Sequence, residues 1–191
     1  MIRIPENGIL YHGSYTEVVQ IDLEKCRNGL DFGKGFYLTS SLKQAESFIP
    51  ASVRKAKRQG ILSDDFNGED GKVSVFQFHL NPNLFIHYFD EADAEWLHFV
   101  ACNRNRGLFP ELQRKYGLVD IIGGKMADDR TAVILNNYVS GTYGVPGTER
   151  ADRMTMELLE ADGLGDQFCF RTKEAVASLT CMRSEHYENY R

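Results

Sequence analysis

Val73-Ser74-Val75-Phe76-Gln77-Phe78-His79-Leu80 is the stretch whose reading decides the fold class. Val73, Val75, Gln77 and His79 alternate against Ser74, Phe76, Phe78 and Leu80, the period of two that places side chains on opposite faces of a strand. Apolar residues fall in both sets, so both faces are expected to be partly buried. On its C-terminal side, 84–88 reads as another strand, and 92–103 reads as a helix carrying Ala92, Leu97, Val100 and Ala101 around Trp96. A short apolar strand follows at 118–122. Asp128 or Asp129 is placed to cap a helix running to about residue 139, and a further helix covers 148–159. The last strand is read at 167–171, with Thr172 capping a helix from about Lys173.

On the N-terminal side, 64–71 is an acidic, glycine-containing loop preceded by a basic segment, 51–59, that suits a helix. Pro50 is expected to interrupt it from an earlier helix that starts at Ser40 or Ser41 and buries Leu42, Ala45, Phe48 and Ile49. Two more strands are read at 8–12 and 35–39. Strands and helices do not alternate regularly, which predicts an α+β arrangement and not a doubly wound parallel sheet. The 191 residues are read as one domain, 1–191.

Composition narrows the function classes. A net charge of −5 and a pI near 5.6 provide no global attraction to nucleic acid or acidic lipid. No apolar run approaches the roughly 18 residues that a membrane-spanning helix needs, and a cytoplasmic location is expected, with no membrane partner. Cys26, Cys102, Cys169 and Cys181 form no Cys-x-x-Cys pair, so no metal is expected, and Cys169 reads as core filling. His98 and Cys102 share a helical face but lack a third ligand. His79 and His87 read as strand residues with satisfied ring nitrogens. The one dense basic run, Arg54-Lys55-Ala56-Lys57-Arg58, reads as a solvated helical face, with an acidic or nucleic-acid acceptor as the alternative.

Two segments carry chemistry. In Tyr11-His12-Gly13-Ser14, polar side chains flank a glycine whose bare backbone is open to hydrogen bonding by a ligand. In Gly33-Lys34-Gly35-Phe36-Tyr37 the spacing and the absent following helix exclude a phosphate loop. There the glycines suit a tight turn or a close approach, Tyr37 suits stacking on a planar ring, and Phe48, eleven residues later, suits its other face.

Together, Tyr11-His12-Gly13-Ser14 and Phe32-Gly33-Lys34-Gly35-Phe36-Tyr37-Leu38 resemble the His-Gly-Ser/Thr and Phe-Gly-Lys-Gly-Ile-Tyr-Phe segments of the diphtheria-toxin and poly-ADP-ribose-polymerase class of ADP-ribosyltransferases, in the same order. Over roughly residues 9 to 180 the chain is also similar to a small bacterial domain-of-unknown-function family related to that class. Glu95-Trp96-Leu97-His98-Phe99-Val100 with Asn103-Arg104, the segment around Asp120, and Asp166-Gln167-Phe168-Cys169-Phe170 carry that similarity. The resemblance implies a split mixed β-sheet core with flanking helices, NAD as the substrate cofactor, and a toxin-like mono-ADP-ribosyltransferase with a macromolecular acceptor and an antitoxin as partners. It places His12 on the adenosine ribose, Gly13 on the nicotinamide amide, Ser14 on a ribose, and Tyr37 and Phe48 around the nicotinamide ring.

The late-strand glutamate of that class is replaced here by Gln167, which gives a His12, Tyr37, Gln167 triad. An amide holds a ribose hydroxyl but supplies neither a general base nor a negative charge. Chain-elongating transfer is therefore not expected; mono-transfer, NAD hydrolysis and binding alone stay open. Glu160, Asp162, Asp166 and Glu174 are the candidates to supply the missing carboxylate, and if none does, Gln167→Glu is expected to raise NAD cleavage. Arg104 reads as a solvent-exposed cation or a contact to pyrophosphate or acceptor, and Asp120 as a residue that fixes a loop or touches substrate.

Overall fold

The computed structural model describes residues 2–66, 71–126, 129–160 and 164–186. In chain order the elements are β1 (Ile9–Ser14), β2 (Phe36–Leu38), α1 (Leu42–Arg58), β3 (Lys72–Phe78), β4 (Ile86–Tyr88), α2 (Ala94–Arg104) and α3 (Pro110–Lys115). They continue with β5 (Ile121–Lys125), α4 (Asp129–Val139), α5 (Glu149–Leu159), β6 (Asp166–Phe170), α6 (Lys173–Ala177) and β7 (Leu179–His186). The architecture is α+β, built on two sheets. One is antiparallel in the order β1-β3-β7; the other runs β2-β6-β5-β4, mixed because β4 and β5 are parallel.

Between the sheets, Leu10, Phe36, Phe76, Phe78, Phe168 and Phe170 form one buried cluster. A second, with Phe32, Trp96, Phe99, Tyr138 and Cys169, fills the space under the helices. The third lies beneath α1, where Ala45, Ile49 and Val53 meet Val73 of β3. The two apolar faces of β3 are thus both covered, as its sequence requires.

Pro50 does not end a helix: α1 runs through it. A proline inside a helix removes one backbone bond and costs about 3 kcal/mol. Ala45, Ile49, Val53 and Ala56 form a continuous buried stripe, and burying each of the larger members returns roughly 1.5–3 kcal/mol. Pro50 itself is exposed, on the side of α1 away from that stripe.

Three other expectations shift. The strand read at 118–122 lies at β5, and Leu118 is exposed; Gly123 and Gly124 extend the strand, their backbone lying beneath aromatic rings. The strand at 167–171 is not the last, because α6 is only one short turn and β7 returns along β3 as a mostly polar edge strand with no apolar alternation to mark it. The short helix α3 was not anticipated. Thr148 and Thr172 do cap α5 and α6, each accepting from the backbone N–H three residues on. Asp128 lies outside the described residues, as does Asp162. No helix among the described residues is long and apolar enough to cross a membrane.

Candidate functional site

Among the described residues the two sheets meet at one bridge. Tyr11 N–H donates to Thr39 O at 2.8 Å, and Thr39 N–H returns to Tyr11 O at 3.0 Å. Backbone groups alternate sides along an antiparallel strand, so those of His12 and Ser14 point to β3 while those of Gly13 point the same way as Tyr11. Beyond Thr39 the chain turns away into α1, so the N–H and C=O of Gly13, directed as those of Tyr11 are, lie past the bridge on this edge of β1.

His12 stands beside that edge, half-buried, its ring 4.5 Å from that of Phe36. Its Nδ1 lies 2.9 Å from Tyr37 O. A carbonyl oxygen only accepts, so Nδ1 carries the proton and the neutral ring presents Nε2 as an acceptor. Burial lowers the His12 pKa below its ordinary value, against the smaller opposing effect of the Tyr37 carbonyl.

Gly13 is required by packing. A Cβ built there would sit 1.7 Å from Ala45 O, so the bare backbone lets α1 lie directly on β1. Ser14 is buried, its Oγ 3.4 Å from Ser52 Oγ of α1, and Ser52 Oγ also accepts from Tyr15 N–H at 3.1 Å. Phe48 lies on the flank of the buried stripe of α1, 40% exposed, and its ring pairs with no other ring among the described residues.

Tyr37 and Gln167 project from the same face of the second sheet, since Tyr37 pairs with Cys169, two residues beyond Gln167. Both hold the segment Asp31-Phe32-Gly33. Tyr37 Oη donates to Gly33 O at 2.8 Å and accepts from Phe32 N–H at 3.0 Å, and burial raises its pKa well above the ordinary phenol value. Gly33 presents its carbonyl from a left-handed conformation, φ +85°. Gln167 is buried, and its Nε2 donates to Asp31 Oδ2 at 3.1 Å and Lys125 O at 3.4 Å. Asp31 is buried too, and Arg104 closes on its Oδ1 through Nη2 at 2.6 Å and Nε at 3.1 Å. Asn103 Nδ2 holds the same segment through Asp31 O at 3.0 Å.

Asp31 is the residue the sequence reading missed; a lone acid between Leu30 and Phe32 was its one signal. Arg104, read as a solvent-exposed cation or a contact to pyrophosphate or acceptor, is not solvent-exposed: it supplies the counter-charge that burying Asp31 requires. Of the candidate carboxylates, Asp166 is engaged by Thr39 Oγ1 at 2.8 Å, Ser40 N–H at 3.0 Å and Ser40 Oγ, where it fixes the turn from β2 into α1. Glu160 caps the end of α5 in a left-handed conformation, and Glu174 lies in the first turn of α6.

Asp120 fixes a loop, accepting from Phe85 N–H at 2.9 Å and Thr172 Oγ1 at 2.6 Å. Cys169 is fully buried and its thiol is pushed up to about 12 by that burial. His98 Nε2 meets Asp152 Oδ2 at 2.7 Å under a stacked Phe109 ring. His87 departs from expectation: its Nε2 is buried with no partner, because the ring is enclosed by Phe89 and Tyr116. His79 lies beyond the end of β3 and is exposed. In the basic run, Arg54, Lys55 and Arg58 are exposed on α1, and Lys57 donates to Asp64 O. Among the described residues no three His, Cys, Asp or Glu side chains gather as a metal-binding set.

Fold and site together define a two-sheet α+β protein with a neutral histidine and an open glycine backbone at the split between its sheets. Over residues 9–181 the chain matches the family described as protein of unknown function DUF3990, and it belongs to that family. No curated protein matches it.

Proposed function

We propose that the chain binds NAD in the split beside the Tyr11–Thr39 bridge and cleaves its nicotinamide glycosidic bond, transferring ADP-ribose once to a macromolecular acceptor. The observation that supports this reading is the edge of β1, where one donor and one acceptor on Gly13 lie beside His12 Nε2, a pattern suited to a carboxamide and a ribose hydroxyl. Two sheets joined at a single bridge also suit the split core that the sequence resemblance implies.

In this reading Gly13 N–H and C=O take the carboxamide oxygen and amide of nicotinamide. His12 Nε2 accepts from the adenosine-side ribose hydroxyl. Tyr37 offers its ring alone, since its hydroxyl is engaged by the 32–33 backbone, and exposed Phe48 covers the other ring face. Gln167 directs its amide nitrogen to Asp31, which leaves Oε1 to accept from the nicotinamide-ribose hydroxyl. The C1′–N bond breaks with its electron pair passing to nicotinamide, the acceptor nucleophile forms the new bond at C1′, and the acceptor releases its proton. Ser14 contributes by tying β1 to α1 through Ser52.

A second reading, a non-catalytic NAD or ADP-ribose binder, is favoured by one observation: Gln167 is a buried neutral amide where the transferase class carries charge. An NAD glycohydrolase would use the same groups with water as acceptor. Incubation with labelled NAD and whole-cell lysate separates them. Label on a macromolecule supports transfer, free ADP-ribose supports hydrolysis, and intact NAD with measurable binding supports the binder. Intact NAD without binding refutes all three.

A further inference from the structure

On the far side of the 31–34 segment, between the C-terminal end of α2, α3 and the end of β6, lies a cleft of about 250 Å³. His12, Tyr37, Phe48 and Gln167 do not line it. Among the described residues its charged lining is entirely positive: Lys34, Arg106 and Arg171, with Asn103, Gln113 and Thr172 supplying further polar groups. On a chain with net charge −5, three cations and no carboxylate around one cavity is a local reversal of sign.

Two of these cations have no anionic partner among the described residues. Arg106 is exposed and makes no hydrogen bond or ion pair among the described residues. Arg171 donates Nη1 to the carbonyls of Tyr116 at 2.6 Å and Val119 at 3.1 Å, bonds that aim the guanidinium without neutralising it. Lys34 does have a partner, Glu24, but that carboxylate is mostly exposed, 86%, and lies outside the cleft. Asp120 lies behind Thr172, is held by Thr172 Oγ1 and Phe85 N–H, and does not line the cavity.

From this arrangement we infer that the cleft is a site for a phosphoryl group, carried by a compact anion. The volume is below the about 300–1,000 Å³ of pockets that enclose drug-sized ligands, which suits phosphate or pyrophosphate and not a whole dinucleotide. Arginine forks and a lysine are the side chains that bind phosphoryl oxygens by paired and point-charge contacts. The phosphoryl group has two possible sources, a free anion or the pyrophosphate of a nucleotide whose remainder lies outside the cleft. The inference stands whether or not NAD is cleaved.

Calorimetric titration of the full chain with inorganic pyrophosphate at low salt tests it, using wild type, Arg106→Gln, Arg106→Gln/Lys34→Gln, and Arg183→Gln on β7 as a control for net charge. Wild type is expected to bind one equivalent saturably. Affinity should fall roughly tenfold in Arg106→Gln and further in the double variant, with Arg183→Gln near wild type. Arg106→Gln should keep the melting temperature of the unliganded protein, since Arg106 has no partner to lose among the described residues. Absent saturable binding, wild-type affinity in the double variant, or an equal loss in Arg183→Gln would overturn the inference. Repeating the titration with NAD present then identifies the source: displacement assigns the site to a nucleotide pyrophosphate, and simultaneous binding assigns it to a separate anion.

Discussion

Gln167→Glu is the substitution at which the sequence and the structure predict opposite results. From the sequence, a carboxylate there restores the transferase pattern and should raise NAD cleavage. In the structure it would face Asp31 Oδ2 across 3.1 Å, in a buried position where Arg104 already engages the other Asp31 oxygen. Two charges at 4 Å repel by about 4 kcal/mol at an effective dielectric of 20. The chain escapes by holding the introduced carboxyl protonated, and its O–H then replaces the lost N–H. Keeping a glutamate of ordinary pKa ~4.3 protonated at pH 7 costs about 3.7 kcal/mol, which sets the ceiling on the destabilisation.

The sign follows from proton counting. At pH 7 the folded variant holds a proton that the unfolded chain has released, so folding takes up a proton and the deficit against wild type shrinks as pH falls. It should shrink by about 1.4 kcal/mol per pH unit, down to about pH 4.3. Gln167→Ala instead removes the Gln167 Nε2 bond to Asp31 Oδ2, at about 1–3 kcal/mol, with a gap to wild type that does not narrow in this way. Urea denaturation of the three proteins at pH 5, 6 and 7 measures both. A Gln167→Glu protein as stable as wild type at pH 7, or with a pH-independent deficit, would refute the buried Gln167–Asp31 contact. With the carboxyl held neutral, nicotinamide release by Gln167→Glu should not exceed that of wild type.

Gly13→Ala places a methyl group against Ala45 O and forces α1 off β1; overpacking of this kind costs about 1–3 kcal/mol, read as a melting temperature lower by several degrees. An unchanged melting temperature would refute the contact. Tyr37→Phe removes the bonds to Phe32 N–H and Gly33 O and should cost about 1–3 kcal/mol of stability while keeping most NAD affinity. Tyr37→Ala should lose that affinity as well, and equal affinity losses in calorimetry would remove the stacking role. His12 has a folded pKa below its ordinary 6.5, so the unfolded chain binds the extra proton first and stability falls as pH drops below about 6.5, levelling off under the folded value. NAD affinity should stay constant from pH 8 to about 6.5 and decline only below that, when Nε2 gains a proton; a decline centred above 6.5 in titrations at stepped pH would count against a neutral acceptor.

Local chemistry was legible in the sequence wherever short-range rules decide it. The alternation of 73–80 identified a strand with two covered faces, Thr148 and Thr172 identified helix starts, and an apolar Cys169 identified core. Order along the chain was enough for the α+β class, because a parallel doubly wound sheet needs regular alternation of elements. Tertiary contacts decided the rest. Pro50 stays within a helix because a buried stripe on its opposite side offsets a lost bond, a balance invisible to local propensity. The polar strand β7 exists because β3 offers it an edge, so its partner, not its own pattern, specifies it. Gly13 is glycine because α1 lies on it, and Gln167 and Arg104 are fixed by Asp31, 136 and 73 residues away in sequence. Whether a polar side chain faces a ligand, water or a buried charge depends on what the fold brings against it, and that information is non-local by nature.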